Sequence, residues 1–206
     1  MQATFDEGAL ARLEAILAAR PAGEIDVGPL RRACVLILLV RDERGWGILF
    51  SHRSPDLPVH SGQISFPGGS ALPGEELEAA ALRETEEEVG IPAEAVRLIG
   101  RLDDVMTRTG FVVAPFVGVL QRRIEYVLQE AEVTSVYEVP LDVLLSRHNP
   151  EIRHLRYRDR TYPSYFYKHS PIEIWGLTGG ILKSFLDLVR LVIPSGARDQ
   201  GRAGRA

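Results

Sequence analysis

Strand-like and helix-like segments alternate irregularly along this chain, and that order limits the folds open to it. Two apolar segments flank the turn-like sequence RDERG at residues 41–45 and predict a β-hairpin over residues 33–53. Further strands are predicted at residues 96–105, 110–120, 132–140 and 171–176, and helices at residues 5–20, 75–89, 141–147 and 177–193. This irregular order favours an α/β fold with a mixed sheet covered on both faces over a regular doubly wound sheet.

The chain length suits one globular domain. Its 206 residues can bury a sizeable core, and the sequence contains no internal repeat and no obvious domain linker. We expect an N-terminal helix and connector at residues 1–28 and the main domain at residues 29–193. Residues 194–206 are rich in Gly, Ala and Arg and lack apolar anchors, so a disordered tail is predicted there.

Charge and cysteine content restrict the partners and the compartment. The 24 basic and 28 acidic residues give a net charge of −4, so neither nucleic acid nor a membrane surface is expected as a partner. Cys34, the one cysteine, lies in an apolar segment and is predicted to be buried, and the lack of disulfides fits a reducing compartment. No signal peptide or apolar run of ~18 residues is present, which predicts a soluble cytoplasmic protein. The oligomeric state is left open, and a homodimer is one possibility.

An acidic helix is predicted directly after a Pro-Gly-Gly turn. It spans residues 75–89, and Gly90 is placed to cap its C-terminus. The helical period puts three residues on a packing face: Leu82, Thr85 and Val89. It puts three carboxylates on another face: Glu84, Glu87 and Glu88. The remaining glutamates are predicted to be solvated: Glu76, Glu78 and Glu86.

The carboxylate face is suited to a hard cation. Each like-charge pair costs only about 0.2–0.5 kcal/mol when solvated, so the charges alone are also compatible with an ordinary exposed face. Clustered carboxylates bind Mg²⁺ or Mn²⁺ in preference to softer metals, and Mg²⁺ commonly bridges such groups to substrate phosphates. Gly69 has no side chain to obstruct the helix, so its carbonyl could add a further oxygen. The residues therefore indicate metal-assisted phosphate chemistry.

The spacing of this segment resembles the Nudix box, G-x5-E-x7-R-E-U-x-E-E-x-G-U, in which U is a bulky apolar residue. The matching positions are Gly69, Glu75, Arg83, Glu84, Glu87, Glu88, Gly90 and Ile91. Thr85 stands at the first U position and is a mild departure. The resemblance implies an α-β-α sandwich that hydrolyses a nucleoside diphosphate linked to another group, with Mg²⁺ or Mn²⁺ as the cofactor.

The resemblance also implies roles for the box residues. Glu84 and Glu88 would be the leading metal ligands, and Glu87 would be a further ligand or a water-activating carboxylate. The carbonyl of Gly69 or its neighbour would be an additional ligand, and Arg83 would orient the glutamates through charge-assisted hydrogen bonds. Treated as a surface carboxylate, Glu88 is predicted to be essential for turnover but not for folding.

The segment before the box offers candidate substrate contacts. Arg53 is a possible phosphate ligand, and His60 and Gln63 are possible polar contacts, although each also fits an ordinary loop residue. Residues 48–69 resemble the signature L-L-T-x-R-S-x3-R-x3-G-x3-F-P-G-G of the Nudix coenzyme A pyrophosphatase subfamily. The matching positions are Leu49, Arg53, Ser54, Gly62, Phe66, Pro67, Gly68 and Gly69. Pro58 stands where the signature has its second arginine.

This second resemblance implies a substrate. Residues 132–145, 161–167 and 174–182 resemble later segments of the same subfamily, so the similarity extends over about residues 31–193. It implies cleavage of CoA or an acyl-CoA to 3′,5′-ADP and a 4′-phosphopantetheine product. Because Pro58 removes a guanidinium, ADP-ribose, NADH or another nucleoside diphosphate derivative remains an alternative substrate.

Three further expectations concern residues outside the box. A general base must take a proton from the attacking water, and Glu132, at a loop-to-strand boundary, is the first candidate, with Glu130 second. Either could instead be an ordinary surface glutamate. Trp175 is expected in the core or at its rim. A non-catalytic nucleotide-sensing module is a further alternative, but such a module would be expected to lack one or more box glutamates, and all are present.

Overall fold

The computed structural model describes residues 5–26, 28, 31–57, 61–107, 110–146, 148–157 and 160–193. The helices are α1 (Glu7–Ala19), α2 (Leu77–Val89), α3 (Leu141–Leu144) and α4 (Gly176–Val192). The first strands are β1 (Arg31–Asp42), β2 (Gly45–Arg53), β3 (Ile64–Ser65), β4 (Gly68–Ser70), β5 (Val96–Arg101) and β6 (Val105–Met106). The later strands are β7 (Phe111–Leu120), β8 (Val133–Pro140), β9 (Glu151–Tyr157), β10 (Arg160–His169) and β11 (Ile172–Ile174).

The predicted hairpin is confirmed as the pair β1–β2. These strands pair antiparallel and meet at Asp42 and Gly45. From Leu39 back towards the start of β1 the two strands separate: β4 pairs with the first part of β1, and β3 pairs with the last part of β2. This separation admits the Pro-Gly-Gly segment between the two strands, which brings it next to the centre of the sheet.

The main sheet is mixed, as predicted. Its strand order is β3-β2-β1-β7-β5, with β8 also paired to β2 and β6 to β7. β1 and β7 run parallel, and the other pairs that the structure describes in this sheet are antiparallel. One apolar core lies between the sheet and α2, and a second lies between the sheet and the pair α1 and α4. The chain is therefore a single α/β domain with helices on both faces of its sheet.

The acidic helix differs from its prediction at one end and on one face. It begins at Leu77 rather than at residue 75, and it ends as predicted at Val89, with Gly90 in the left-handed conformation at φ 71°. Thr85 and Val89 are buried as predicted. Leu82 is only partly buried, because the face that meets the sheet is centred on Ala80 and Ala81. Glu76, Glu78 and Glu86 are exposed, as predicted.

A three-stranded sheet that the periodicity did not predict precedes α4. β10 pairs antiparallel with β9 on one side and with β11 on the other. Of these strands, only the segment around β11 was predicted. The residues of β9 are mostly exposed and include several charged side chains, so its sequence lacks the apolar alternation typical of a half-buried strand.

The N-terminal and C-terminal helices are confirmed and share one core. Arg12 of α1 donates hydrogen bonds to the Val192 carbonyl at 2.8 and 3.0 Å, which joins α1 to the end of α4. Cys34 is buried and not in a disulfide, as predicted. No helix among the described residues is long and apolar enough to cross a membrane. The predicted disordered tail at residues 194–206 lies outside the described residues.

Candidate active site

Glycine is required where the Pro-Gly-Gly segment meets β1. Gly68 has φ 148°, and a Cβ atom there would collide with the carbonyl of Cys34. Gly69 pairs with Cys34, and a Cβ atom at position 69 would overlap the carboxylate of Glu84 on α2. The two glycines thus let backbone approach both the sheet and the acidic helix. This geometry supports the closeness of Gly69 to the carboxylates that the sequence indicated.

Glu88 is buried, which corrects its interpretation as a surface carboxylate. The residue is 3% exposed because it lies on the side of α2 that faces β4 and β2. The Gly68 amide donates to Glu88 Oε2 at 3.2 Å, and Arg53 Nη1 lies 3.5 Å from Glu88 Oε1. The Glu88 pKa is raised to about 7: burial is the largest cause and the charges of Glu84 and Glu132 add to it, while the Gly68 hydrogen bond and Arg53 oppose the shift.

Arg83 organises three other glutamates. Its Nε and Nη2 donate to the two carboxylate oxygens of Glu75 at 2.8 and 3.0 Å. Its Nη1 donates to Glu84 Oε1 and to Glu87 Oε2, both at 2.9 Å. The Glu75 pKa is lowered to about 2, mainly by the hydrogen bonds from Arg83 and to a smaller extent by the hydrogen bond from the Leu72 amide. These hydrogen bonds support the role implied for Arg83, which is to orient the glutamates.

Glu84 and Glu87 differ in their surroundings although they share Arg83. Glu84 is partly buried, and burial raises its pKa above the ordinary value, with smaller contributions from Glu87 and Glu132 and with Arg83 opposing. The Glu87 side chain is 60% exposed. In the described residues, no three His, Cys, Asp or Glu side chains stand in a ready metal-binding arrangement, and Glu84 and Glu87 instead accept hydrogen bonds from Arg83.

The candidate residues outside the box lie around Arg53. Its amide donates to the Gln63 carbonyl at 3.0 Å, and the next amide, of Ser54, donates to the Glu132 carbonyl at 2.7 Å. Glu132 is exposed and directly precedes β8, at the predicted loop-to-strand boundary. Its charge acts on both Glu84 and Glu88, which places its carboxylate near the box. Pro58 and His60 lie outside the described residues.

Two further groups contribute contacts to the candidate site, and the sequence did not predict either contact. Glu75 holds Arg83 in place, and the Gly68 amide donates to Glu88. The sequence carried a signal for each of them. Glu75 is a fixed position of the box, and a glycine pair after proline commonly marks backbone that must approach another group closely.

Comparison with known proteins places this site in a family. A family model described as the NUDIX domain matches residues 30–159. "Uncharacterized Nudix hydrolase NudL" of Klebsiella pneumoniae (strain 342) is 42% identical over 156 residues, covering 74% of this chain and 80% of that protein. The protein of the same name from Enterobacter sp. (strain 638) is 42% identical over 168 residues, covering 80% of this chain and 85% of that protein.

Among solved structures, the Nudix hydrolase RenU from M. smegmatis is similar with a TM-score of 0.48 and 23% identity, covering 54% of this chain and 71% of that chain. The assignment rests on the family model and the NudL relatives. The matched residues 30–159 are more than half of the chain and include α2, Arg53 and Glu132. The chain therefore belongs to the Nudix hydrolase family.

Proposed function

We propose that this Nudix hydrolase cleaves the pyrophosphate bond of CoA or an acyl-CoA to give 3′,5′-ADP and a 4′-phosphopantetheine product. One observation carries the proposal: Arg53 Nη1 lies 3.5 Å from Glu88 Oε1. This contact joins the segment that resembles the CoA pyrophosphatase signature to the box that resembles the hydrolytic centre. The small nucleotide derivatives on which Nudix enzymes act include such diphosphates.

The residues present fit a divalent cation, the cofactor that Nudix hydrolases use. Glu88 and Glu84 are acidic groups whose pKa values are raised mainly by burial and further by neighbouring carboxylates, so a nearby positive charge would stabilise their charged forms. The available donors are oxygens, which suit Mg²⁺ or Mn²⁺. The ligands would be Glu84, Glu88, Glu87 and the Gly69 carbonyl. A bound ion would neutralise the pyrophosphate and lower the pKa of a water molecule.

The protein side chains would then position the substrate and move the proton. The Arg53 guanidinium would leave its long contact with Glu88 and bind a substrate phosphate. Gln63, whose carbonyl accepts a hydrogen bond from the Arg53 amide, would be a further polar contact. Arg83 keeps Glu84 and Glu87 oriented. Glu132 would accept one proton from the attacking water, whose oxygen bonds to one phosphorus as the bond from that phosphorus to the bridging oxygen breaks.

Product analysis tests this proposal. The wild-type protein is incubated with Mg²⁺ or Mn²⁺ and CoA, acetyl-CoA, ADP-ribose or NADH, and the products are separated by chromatography. We expect 3′,5′-ADP and 4′-phosphopantetheine from CoA, with kcat/KM for CoA above that for the other compounds. Cleavage of ADP-ribose or NADH with CoA left intact would refute CoA as the substrate. The Glu88→Gln protein, purified in parallel, controls for contaminating hydrolases.

ADP-ribose, NADH or a related diphosphate is the second candidate substrate because Pro58 replaces an arginine of the CoA signature. The variant Pro58→Arg separates the two candidates. If the signature describes a CoA site, restoring the guanidinium should raise kcat/KM for CoA selectively. An unchanged preference would favour the alternative substrates.

A further inference from the structure

The three-stranded sheet presents an exposed aromatic residue. Trp175 directly follows β11 and is 41% exposed, so it lies at the rim rather than in the core. Its ring stacks on Phe166 of β10 with centroids 5.9 Å apart and an angle of 4° between the ring planes. The guanidinium carbon of Arg153 lies 4.0 Å from the centre of the same Phe166 ring. Phe166 and Arg153 therefore fix the position of an indole that keeps exposed surface.

These side chains lie on the outer face of the three-stranded sheet. The inner face packs through Tyr167, Ile172 and Ile174 into the core that α4 covers. Since side chains alternate along a strand, Phe166 and Glu173 face the other way. Arg153 pairs with Glu173 at 3.1 Å, which places it on that outer face as well.

The outer face of the three-stranded sheet points away from the core that α1 and α4 cover. Cα atoms of β11 and β3 come within 8 Å of each other, so the three-stranded sheet adjoins the β3 edge of the main sheet. Ile64 of β3 packs into the same core as Ile174. By strand alternation Trp175 faces away from that core, and α2 covers the face of the main sheet that is also opposite to that core.

The chain connects this aromatic group to the site over a short path. Gln63 directly precedes β3, and its carbonyl accepts a hydrogen bond from the Arg53 amide. Arg53 contacts Glu88. Trp175 is thus linked to the proposed phosphate-binding arginine through neighbouring strands, since β11 adjoins β3 and β3 pairs with β2.

We infer that Trp175 is the platform on which the base of the nucleotide substrate stacks. An exposed indole held by a second ring offers a flat apolar surface of the kind on which bases stack, and stacking tolerates any base because every base has a π face. For CoA the base is adenine, and this identification rests on the proposed function. The role of Trp175 is binding and specificity, since its ring does not contact the box carboxylates in the described contacts.

Steady-state kinetics test the platform with matched variants. Trp175→Ala should raise KM for CoA by roughly 5- to 100-fold while kcat changes less than about threefold. Trp175→Phe keeps an aromatic face and should recover most of the affinity. Ile152→Ala is the control, because Ile152 is exposed on the same hairpin and pairs across it with Tyr165, on the opposite face to Phe166. Its kinetics should match the wild type.

Intrinsic fluorescence provides a readout without turnover. 3′,5′-ADP should quench the emission of the wild type and should not quench that of Trp175→Ala, in which the buried Trp46 remains. An unchanged KM in Trp175→Ala, or equal quenching in both proteins, would overturn the platform. If CoA is not cleaved but ADP-ribose is, the proposed function fails, and the same kinetics with ADP-ribose still decide the platform because that compound also carries adenine.

Discussion

Gly69 lies against the carboxylate of Glu84 so closely that no Cβ atom fits between them. A strand of the sheet and the acidic helix therefore meet through a glycine and a glutamate that the box spaces fifteen residues apart in the chain. Any side chain at position 69 would therefore displace the Glu84 carboxylate. The contact also couples the position of the Glu84 oxygens to the path of β4.

Replacing this glycine should impair the site more than the fold. In Gly69→Ala the methyl group would displace the flexible Glu84 side chain, so we expect kcat/KM to fall by roughly 10- to 100-fold, as for other changes that misplace metal ligands. Gly180→Ala is the matched control, because a Cβ atom at position 180 meets nothing within 4 Å. Equal activity of the two variants would show that Glu84 tolerates displacement.

Removing the Arg83 guanidinium should release three glutamates at once. Arg83→Gln leaves Glu75, Glu84 and Glu87 without their shared donor, so we expect roughly 10- to 100-fold weaker Mg²⁺ activation. The measurement is kcat against Mg²⁺ concentration. Arg190→Gln, which removes an arginine paired with Asp187 on α4, is the control and should leave the Mg²⁺ curve unchanged. A normal Mg²⁺ curve for Arg83→Gln would contradict an orienting role.

Glu88 should destabilise the metal-free fold as pH rises. Its pKa is about 7 in the folded protein against an ordinary 4.5, so between these values the unfolded chain loses the proton first and unfolding becomes easier. The shift corresponds to about 3 kcal/mol at pH 8. In EDTA, Glu88→Gln should therefore gain Tm relative to the wild type as pH rises from 4.5 to 8, by several degrees.

Two observations check that prediction. Glu86→Gln removes an exposed glutamate from the same helix, and its Tm difference from the wild type should stay constant with pH. A constant difference for Glu88→Gln as well would mean that Glu88 is not the group that titrates. Thermal unfolding followed by circular dichroism gives both values.

Cys34 should be inert in the folded protein. Its side chain is buried, its Sγ lies 3.7 Å from the Gly69 carbonyl, and burial raises its pKa to about 11. The thiolate needed for alkylation is therefore scarce at pH 8. Iodoacetamide should modify Cys34 only after denaturation, as measured by mass spectrometry. Rapid labelling of the native protein at pH 8 would contradict this burial.

Local patterns predicted the parts of the fold that local forces determine. The β1–β2 hairpin has apolar strands around a polar turn, and the end of α2 has a glycine suited to the left-handed conformation. The start of α2 was misplaced by two residues because the Glu75 side chain binds the Leu72 amide and Arg83 instead of joining the helix.

Tertiary packing determined what the sequence did not predict. The helical period places Glu88 on the same face as Glu84 and Glu87. It also places Glu88 next to the buried residues Thr85 and Val89. The packing of β4 and β2 therefore decides that Glu88 is buried. β9 forms because it pairs with β10, not because its own residues bury an apolar face. Arg53 lies 35 residues from Glu88, and only the sheet brings them together.

Mn²⁺ binding to the substrate-free protein tests the central claim most directly, namely that the α2 carboxylates form the metal site. Electron paramagnetic resonance measures the concentration of free Mn²⁺ while the wild type, Glu88→Gln and Glu86→Gln are titrated. Glu86→Gln is the control because Glu86 is exposed. We predict at least tenfold weaker binding by Glu88→Gln, with Glu86→Gln equal to the wild type. Unchanged Mn²⁺ affinity in Glu88→Gln would contradict the assignment.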